Sequence, residues 1–578
     1  MFATAKIGRS LSKASFNASV PDLRTQLLDA QIAIRESNIP VYVIIAGMEG
    51  AGKGEVVNAL DEWMDARGVN VYAFWDESDE EKYRPKAWRF WRAMPRRGDI
   101  GVFFGGWYQQ AIEQGFTGQW TDADLDQYMR KIRELERMLL HDGAVIVKCW
   151  YHFSEKDQRE RLKSLARSDR SRWKMLPKKS KFGRQYQRFE EVADRVIRAT
   201  DIGRAPWHII EATDPRYRDM TTGRILLNAM QEALAQSPEN EHELNDAPSN
   251  RTEDLLPNAP EAQITLLDRV DLSQTISRKD YKKKLKILQA ELNDLAWRAY
   301  AAKISTVLVF EGVDAAGKGG AIRRVTQAVD SRLREVISIA APTDEENAHH
   351  YLWRFWRHVP RGGRMTVFDR SWYGRVLVER VEGFTSRANW ARAYLEINEF
   401  EEQLTNAGVV VQKFWLQISK EEQLARFEAR KLTPYKRYKI TDEDWRNREK
   451  WDEYRDAINE MLERTSANHA PWNLIAGNDK RFARIQVLEI VTDALREAVK
   501  QGKSPALMKK PFKKMPEHAT LKMLHQAMTD LKQRKFDDAV VKFKKVMPTN
   551  PPIDVKVMIH KIVAKIYMYE KRQYAQAR

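Results

Sequence analysis

The stretch that decides the fold reads TVLVFEGVDAAGKGG and covers residues 306–320. Residues 306–310 form an apolar run that predicts a buried β-strand, and the pattern Gly-x-x-x-x-Gly-Lys follows it. Between a strand and a helix this pattern is typical of a phosphate-binding loop (P-loop), in which backbone N–H groups surround phosphate oxygens and the lysine adds a positive charge. We therefore expect phosphate to be bound by this loop, through Gly312, Ala315, Ala316, Gly317, Lys318 and Gly319.

A related loop occurs earlier in the chain. Residues 47–53 read GMEGAGK, and Lys53 and Lys318 are 265 positions apart (318 − 53). The same offset relates WRFWR at residues 88–92 to WRFWR at residues 353–357. A constant offset over this length indicates two copies of one domain, which we place at residues 20–235 and 275–502.

Each copy alternates short apolar runs with helical stretches, which predicts an α/β domain whose parallel sheet is covered by helices on both faces. In the second copy, further strands are predicted at residues 365–368, 409–415 and 473–476. Outside the copies we predict a disordered N-terminus (1–19), a linker (236–274), a basic linker (503–519) and a helical hairpin resembling a tetratricopeptide repeat (520–578). A helical tail unrelated to that repeat is the alternative.

The composition favours a polyanionic partner. The 578-residue chain is 43% hydrophobic and has a formal net charge of +17, which suits nucleic acid, an anionic membrane surface or a phosphate polymer. No run of about 18 uncharged apolar residues predicts a membrane span, and the N-terminus has no secretory h-region. The single cysteine, Cys149, lies in an apolar run and is predicted to be buried. We expect a cytoplasmic protein, with a cleaved presequence as the alternative.

The residue after the P-loop lysine is Gly319 instead of the usual Ser or Thr ligand of Mg²⁺. A metal would then depend on carboxylates. Asp314 lies within the loop, and Asp369 ends a predicted strand, where a Walker-B acid belongs. We expect Mg²⁺ at Asp314 and Asp369, while an ion pair with Arg370 is the structural alternative for Asp369.

The first copy has Phe104 and Gly105 where the second has Asp369 and Arg370. Phosphoryl transfer without a metal-binding carboxylate and an arginine loses its main electrostatic stabilisation. Our hypothesis is that the first copy catalyses poorly or not at all. It would still bind phosphate, through Gly47, Gly52 and Lys53.

A basic segment follows in the second copy, with Arg430 and the string KRYK at residues 436–439. Such a segment late in a P-loop domain can close as a lid over phosphates, whose charge its cations neutralise. A solvated basic helix is the alternative.

Residues 312–320, the string VFDRSWY at residues 367–373 and KRYK at residues 436–439 together resemble the family-2 polyphosphate kinases. The tandem copies resemble the two-domain class of that family, over residues 20–500. The resemblance implies tandem P-loop kinase-like, three-layer α/β/α domains. It also implies Mg²⁺-dependent transfer of a phosphoryl group between inorganic polyphosphate and a nucleotide, with AMP, which becomes ADP, as the expected acceptor.

The resemblance also implies roles for single residues. Lys318 and the loop amides would hold phosphates, and Asp314 and Asp369 would position Mg²⁺ and the acceptor phosphate. The transferring group would be stabilised by Arg370, Arg430 and Arg437, with Lys436 and Lys439 as further phosphate contacts. Because an acceptor phosphate is already anionic near neutral pH, no general base is required, so we interpret His349 and His350 as packing or surface residues.

Two rival functions stay open at this point. One is an ATP-dependent nucleotide or small-molecule kinase on the same fold, and the other is a nucleic-acid-binding protein with vestigial P-loops. We expect polyphosphate and a nucleoside monophosphate as partners, and neither nucleic acid nor a membrane. A homo-oligomer and a protein partner for the tail are left open.

Overall fold

The computed structural model describes residues 1–74, 76–167, 185–235, 265–432 and 442–502. Within this part of the chain lie two five-stranded sheets. The first contains β1 (Val41–Gly47), β2 (Val69–Ala73), β3 (Ile100–Phe104), β4 (Val145–His152) and β5 (Trp207–Glu211). The second contains β6 (Thr306–Gly312), β7 (Arg334–Ser338), β8 (Met365–Asp369), β9 (Val410–Gln417) and β10 (Trp472–Ala476).

Helices of both copies follow the same order. Those of the first copy are α1 (Lys13–Glu36), α2 (Lys53–Trp63), α3 (Trp88–Arg92), α4 (Gln109–Thr117), α5 (Asp122–His141), α6 (Glu155–Arg167), α7 (Tyr186–Thr200) and α8 (Pro215–Ala235). Those of the second are α9 (Arg278–Ala301), α10 (Lys318–Ala328), α11 (Asp344–Asn347), α12 (Trp353–Trp356), α13 (Val378–Val381), α14 (Arg387–Asn406), α15 (Lys420–Lys431), α16 (Asp442–Glu449), α17 (Trp451–Thr465) and α18 (Lys480–Lys500).

Both sheets are parallel throughout and have equivalent strand orders, β2-β3-β1-β4-β5 and β7-β8-β6-β9-β10. The offset seen in the sequence is also the offset of the register. Val41 pairs with Ile100 in the first sheet, and Thr306 pairs with Met365 in the second. The duplication predicted from the sequence is therefore a duplication of structure.

Each sheet is the middle of three layers because successive strand residues face opposite sides. In β6, Leu308 and Phe310 belong to a core with α9, α10 and α18, whereas Val307 and Val309 belong to a core with α14 and α17. The central strands are buried on both faces, which is why they appear in the sequence as continuous apolar runs.

The two copies pack through equivalent surfaces within one compact unit, residues 1–505. The indole of Trp91 stacks on that of its counterpart Trp356, with ring centroids 5.6 Å apart and planes 14° apart. Close by, the Arg97 N–H donates to the Ala348 carbonyl at 2.7 Å. The repeated WRFWR segments are thus core and interface, and the buried His350, beside Trp91, also packs there.

The structure differs from the sequence-based expectation at the N-terminus and at the sheet edges. Residues 1–19, expected to be disordered, contain a 3-10 turn at Phe2–Ala5 and the start of α1, because Phe2 is buried against the first sheet. The edge strands β2 and β7 were not predicted, since they are half exposed and lack an apolar run. The predicted tail, 520–578, lies outside the described residues.

None of the helices in the described part of the chain has the length and apolarity that crossing a bilayer requires.

Candidate active site

The second P-loop joins β6 to α10 at the carboxyl edge of the sheet. Gly312 has φ = +149°, and a side chain there would meet the Leu416 backbone, so only glycine fits. The Lys318 ammonium donates to the Gly312 carbonyl at 2.6 Å. Because α10 begins at Lys318, the first N–H groups of the helix have no partner within it and form an anion-binding end. The predicted phosphate ligands therefore lie together at one helix N-terminus.

A buried arginine that the sequence analysis did not identify holds the loop from behind. Arg426 of α15 donates to the carbonyls of Ala315 and Ala316, at 2.9 and 2.8 Å. Its other terminal nitrogen donates to the carbonyls of Gly477 and Asn478, at 2.6 and 2.9 Å. The planar guanidinium thus ties the P-loop to the loop after β10, and this fixes the conformation of the loop.

Asp314 and Arg370 meet at the mouth of the loop. A terminal nitrogen of Arg370 lies 3.3 Å from one Asp314 carboxylate oxygen, and the Asn447 amide donates to the other at 2.9 Å. Arg370 has φ = +64°, a left-handed conformation that costs a non-glycine residue about 1–2 kcal/mol. Such local strain occurs where the side chain must be aimed in a particular direction.

Asp369 ends β8 and is half buried beside the loop strand β6, where it is paired with Phe310. The pKa of Arg370 is raised, since nearby carboxylates that include Asp314 and Asp369 outweigh the effect of its burial. The structure therefore brings Asp314, Asp369, Arg370 and Lys318 to one edge of the sheet.

The residues after Arg370 are anchored by a buried ion pair. Trp372 and Tyr373 both donate to the Glu401 carboxylate, at 3.0 and 2.6 Å, and Lys413 pairs with the same carboxylate at 2.8 Å. Burial lowers the pKa of Lys413, and Glu401 opposes that shift. This network holds the end of β8, and with it Asp369 and Arg370, in a fixed position relative to the sheet.

Glu311 is a second residue that the sequence analysis missed. It is buried at the end of β6 and accepts a hydrogen bond from the Ser371 hydroxyl at 2.8 Å. Burial raises the pKa of Glu311, while Lys318 and Arg370 oppose the shift. The first copy has Ala46 in its place, so a comparison of the copies at this position would have revealed it.

The predicted lid is only partly within the described residues. Arg430 lies in the last turn of α15, whereas Lys436, Arg437 and Lys439 fall in residues 433–441, outside them. The helix that follows, α16, returns to the P-loop, where its Asn447 contacts Asp314. The helices on either side of residues 433–441 therefore both contact the phosphate loop, α15 through Arg426 and α16 through Asn447.

A cavity of about 550 Å³ opens beside the loop. Its lining includes the charged residues Glu311, Asp314, Lys318 and Arg370. It also includes apolar and aromatic residues, among them Leu267, Val270, Leu377, Trp415, Ile418, Trp451 and Tyr454. A lining that combines charged and apolar side chains is suited to a ligand that joins an anion to a ring system.

The first P-loop has the same backbone but different surroundings. Glu55 in the first turn of α2 pairs with Arg161 at 2.6 Å and with the buried Arg218 at 3.1 Å, whereas the second copy has Gly320 there. Arg218 also donates to the Ala51 carbonyl at 3.3 Å. An arginine from α8 thus supports the first loop in place of one from α6.

The space in front of the two loops also differs. Beside Gly54 of the first copy lies the ring of Phe104, whereas a side chain at Gly319 of the second copy would enter open space. Phe104 occupies the position of Asp369, so the first copy has an apolar ring where the second has a carboxylate.

Cations surround the second loop more densely than the first. Arg323, Arg324 and Arg484 lie on α10 and α18, and the guanidinium of Arg484 lies against Gly320. The corresponding residues of the first copy are Asn58, Ala59 and Asp219. The second site is therefore the more strongly attractive to a polyanion.

A P-loop at the edge of a parallel sheet, two carboxylates and an arginine at its mouth define a phosphotransferase site. Residues 10–238 and again residues 275–503 match the family described as Polyphosphate kinase 2 (PPK2). The chain therefore belongs to the polyphosphate kinase 2 family, carries its domain twice, and is a phosphotransferase of that type.

Several relatives are similar over the length of both copies. The polyphosphate:AMP phosphotransferase of Pseudomonas aeruginosa is 48% identical over 504 residues, which is 87% of this chain and 100% of that protein. The polyphosphate:AMP phosphotransferase of Acinetobacter johnsonii is 37% identical over 490 residues, 82% of this chain and 96% of that protein. A crystal structure of a polyphosphate kinase 2 from Pseudomonas aeruginosa superposes with a TM-score of 0.76, at 46% identity, over 87% of this chain and all of that one. The α/β fold and its duplication, predicted from the sequence, are thereby confirmed.

Proposed function

We propose that this protein transfers a phosphoryl group from inorganic polyphosphate to AMP, giving ADP, at the P-loop of the second copy and with Mg²⁺. The proposal depends above all on the convergence of Lys318, Asp314 and Arg370 on one cavity. Relatives matched over 96–100% of their own length are polyphosphate:AMP phosphotransferases, which supports both substrates.

The donor is assigned from the charge around the loop. A phosphate chain carries about one negative charge on each unit, so it needs cations beyond the single P-loop lysine. Arg323, Arg324 and Arg484 supply them around α10, and the basic segment with Arg430 supplies more. An ATP-dependent kinase needs fewer cations, because two of the three phosphates of ATP are already held by the loop and its metal.

The acceptor is assigned to the cavity. Its charged residues would hold the AMP phosphate beside Arg370, and its apolar and aromatic residues, Trp415 and Tyr454 among them, would hold the nucleoside. An oxygen of the AMP phosphate attacks the terminal phosphorus of the chain. The P–O bond to the next phosphate breaks, and the electron pair leaves with the shortened chain. Because the attacking oxygen is already anionic, positioning and charge neutralisation suffice.

Magnesium fits the residues present. Asp314 and Asp369 offer the oxygen ligands that Mg²⁺ prefers, and the space beside Gly319 is open. Among the described residues no group of three or more metal-ligating side chains occurs, so substrate phosphates and water would supply the remaining oxygen ligands. When bound, the ion neutralises phosphate oxygens.

We also propose that Gly47, Gly52 and Lys53 of the first copy bind phosphate, with lower affinity than the second loop. The carboxylate of Glu55, close to the start of α2, opposes an anion there. We also propose that the reaction takes place in the cytoplasm, which is compatible with the buried, unpaired Cys149.

The proposal is tested by an assay with polyphosphate and Mg²⁺ but no ATP, across AMP, GMP, ADP and GDP. We expect ADP from AMP as the main product, loss of activity with a chelator, and recovery on addition of Mg²⁺. Asp314→Asn should raise the Mg²⁺ concentration at half-maximal rate. Turnover only with ATP would favour the rival kinase, and salt-sensitive nucleic-acid binding without turnover would favour the rival binding protein.

A further inference from the structure

Part of the cavity wall comes from a piece of the linker between the two copies. This piece, residues 265–274, is called the strap here. Leu267, Asp268, Val270 and Leu272 of the strap line the cavity, and Leu267 is buried. The strap therefore contributes one wall of the proposed acceptor site, although it precedes the second domain.

The first copy has an equivalent segment at its N-terminus. The 3-10 turn Phe2–Ala5 lies at the same offset as the turn Leu267–Arg269 of the strap. Phe2, the counterpart of Leu267, is buried and stacks on His152 with ring centroids 4.2 Å apart and planes 3° apart. His152 is the counterpart of Gln417, which lines the cavity of the second copy. In the first copy, then, a phenyl ring packs on the residue that corresponds to the cavity-lining Gln417.

The N-terminal segment is also fixed in place. The backbone N–H groups of Gly8 and Arg9 both donate to the buried Glu211 carboxylate, at 2.8 and 3.0 Å, and Lys6 forms an ion pair with Glu190. In the second copy Ala476 replaces Glu211, and Arg455 replaces Glu190.

The strap is attached differently. In the described part of the chain, its hydrogen bonds run between its own residues, such as Thr265 to Asp268 and Ser273 to Asp271. Arg455 attracts the Asp268 carboxylate electrostatically. The N-terminal segment is thus held by hydrogen bonds to its domain, and the strap by apolar contact and this attraction.

We infer that the strap is the specificity wall of the acceptor site: Leu267 and Val270 contact the nucleoside of the acceptor, whereas Phe2 keeps the equivalent cavity of the first copy filled. This inference rests on the proposed function, because it takes the cavity to be the nucleoside site. It assigns selection of the acceptor to residues outside the P-loop domain itself.

The test gives the strap the aromatic side chain that the first copy has at the equivalent position. Leu267→Phe adds a ring at the position that Phe2 occupies. We expect AMP binding, measured by calorimetry without donor, to weaken about tenfold or more. The KM for AMP should rise by a similar factor, while the KM for polyphosphate stays within about twofold. Leu266→Phe is the matched control, since it adds the same bulk at a position that does not line the cavity. It should leave both KM values within about twofold.

The outcomes separate the inference from the proposed function. A Leu267→Phe variant that binds AMP like the wild type, or a Leu266→Phe variant that loses AMP binding equally, overturns the strap as a specificity wall. A wild type that binds AMP but forms no ADP from polyphosphate contradicts the proposed function alone. Should Leu267→Phe not fold, Leu272→Phe enlarges the same wall from a half-buried position and is expected to have the same selective effect.

Discussion

The ends of β3 and β8 have the same backbone conformation but differ in the charge of their side chains. Gly105 and Arg370 occupy the same position and have similar left-handed φ angles, +68° and +64°. The residue before them is Phe104 in the first copy and Asp369 in the second. The backbone bend is thus common to both copies. In the second copy it is occupied by an arginine, for which the left-handed conformation is strained. The first copy has glycine at this bend and has neither charge.

The buried anchor behind these strand ends shows no such difference. Lys148 pairs with Glu136 at 2.9 Å in the first copy, and Lys413 pairs with Glu401 at 2.8 Å in the second. Removing one partner of a buried pair costs roughly 3–5 kcal/mol, so both copies must keep it to fold. The contrast shows that catalysis and folding place separate demands on neighbouring residues.

The largest expected effect comes from the two P-loop lysines. Lys318→Ala should lower kcat for ADP formation by at least about a thousandfold, because it removes the mobile cation at the transferring phosphate. Lys53→Ala, the matched control, should leave at least about half of the rate. Steady-state kinetics with saturating polyphosphate measure both. Substantial turnover in the Lys318→Ala variant would mean that the first copy is also active.

A smaller effect is expected from the arginines behind the loops. Arg426→Lys keeps the charge but cannot reach the four carbonyls of both loops, so kcat/KM for polyphosphate should fall about tenfold. Arg161→Lys changes the counterpart, which contacts Glu55 rather than the loop backbone, and should have little effect. Equal losses in the two variants would show that the arginine acts through general stability, which thermal denaturation would also reveal.

The smallest predicted effect is on the free energy of unfolding, and it concerns Glu399, which lies near Glu134 of the other copy. Burial and the nearby Glu134 and Glu396 raise the pKa of Glu399 to about 7, despite Arg137. For a carboxyl group whose pKa is raised on folding, the stabilising contribution is present below its unfolded pKa and is lost as the pH rises to about 7. Glu399→Gln should therefore gain on the order of 1–2 kcal/mol over the wild type at pH 8, and little at pH 4.5.

Urea denaturation at several pH values measures this difference. Adding Glu134→Gln to Glu399→Gln should give less than the sum of the two single effects, because the counterpart glutamates are coupled. A pH-independent difference between Glu399→Gln and the wild type would contradict the assignment.

From the sequence we could predict the features that are repeated along the chain or that consist of continuous apolar runs. Apolar runs identified the central strands, and the constant offset identified the two copies, because buried parallel strands and duplicated motifs leave local signals. The contacts of Arg426 and Asn447 with the loop have no local signal in the sequence, since both residues belong to helices more than 100 positions away from the loop. The strap was predicted to be part of the linker for the same reason. Leu267 lines the cavity only in the folded chain, and no local pattern indicates this.

We propose that catalysis is confined to the second copy because Asp369 and Arg370 occur there, where the first copy has Phe104 and Gly105. The most direct test is the double variant Asp369→Phe/Arg370→Gly, which gives the second copy the residues of the first on a backbone that already suits glycine. Polyphosphate-dependent ADP formation should fall by about a thousandfold or more while the fold is retained. The reciprocal variant, Phe104→Asp/Gly105→Arg, should leave the rate unchanged. More than about a tenth of wild-type activity in the first double variant would show that these two residues do not distinguish the copies.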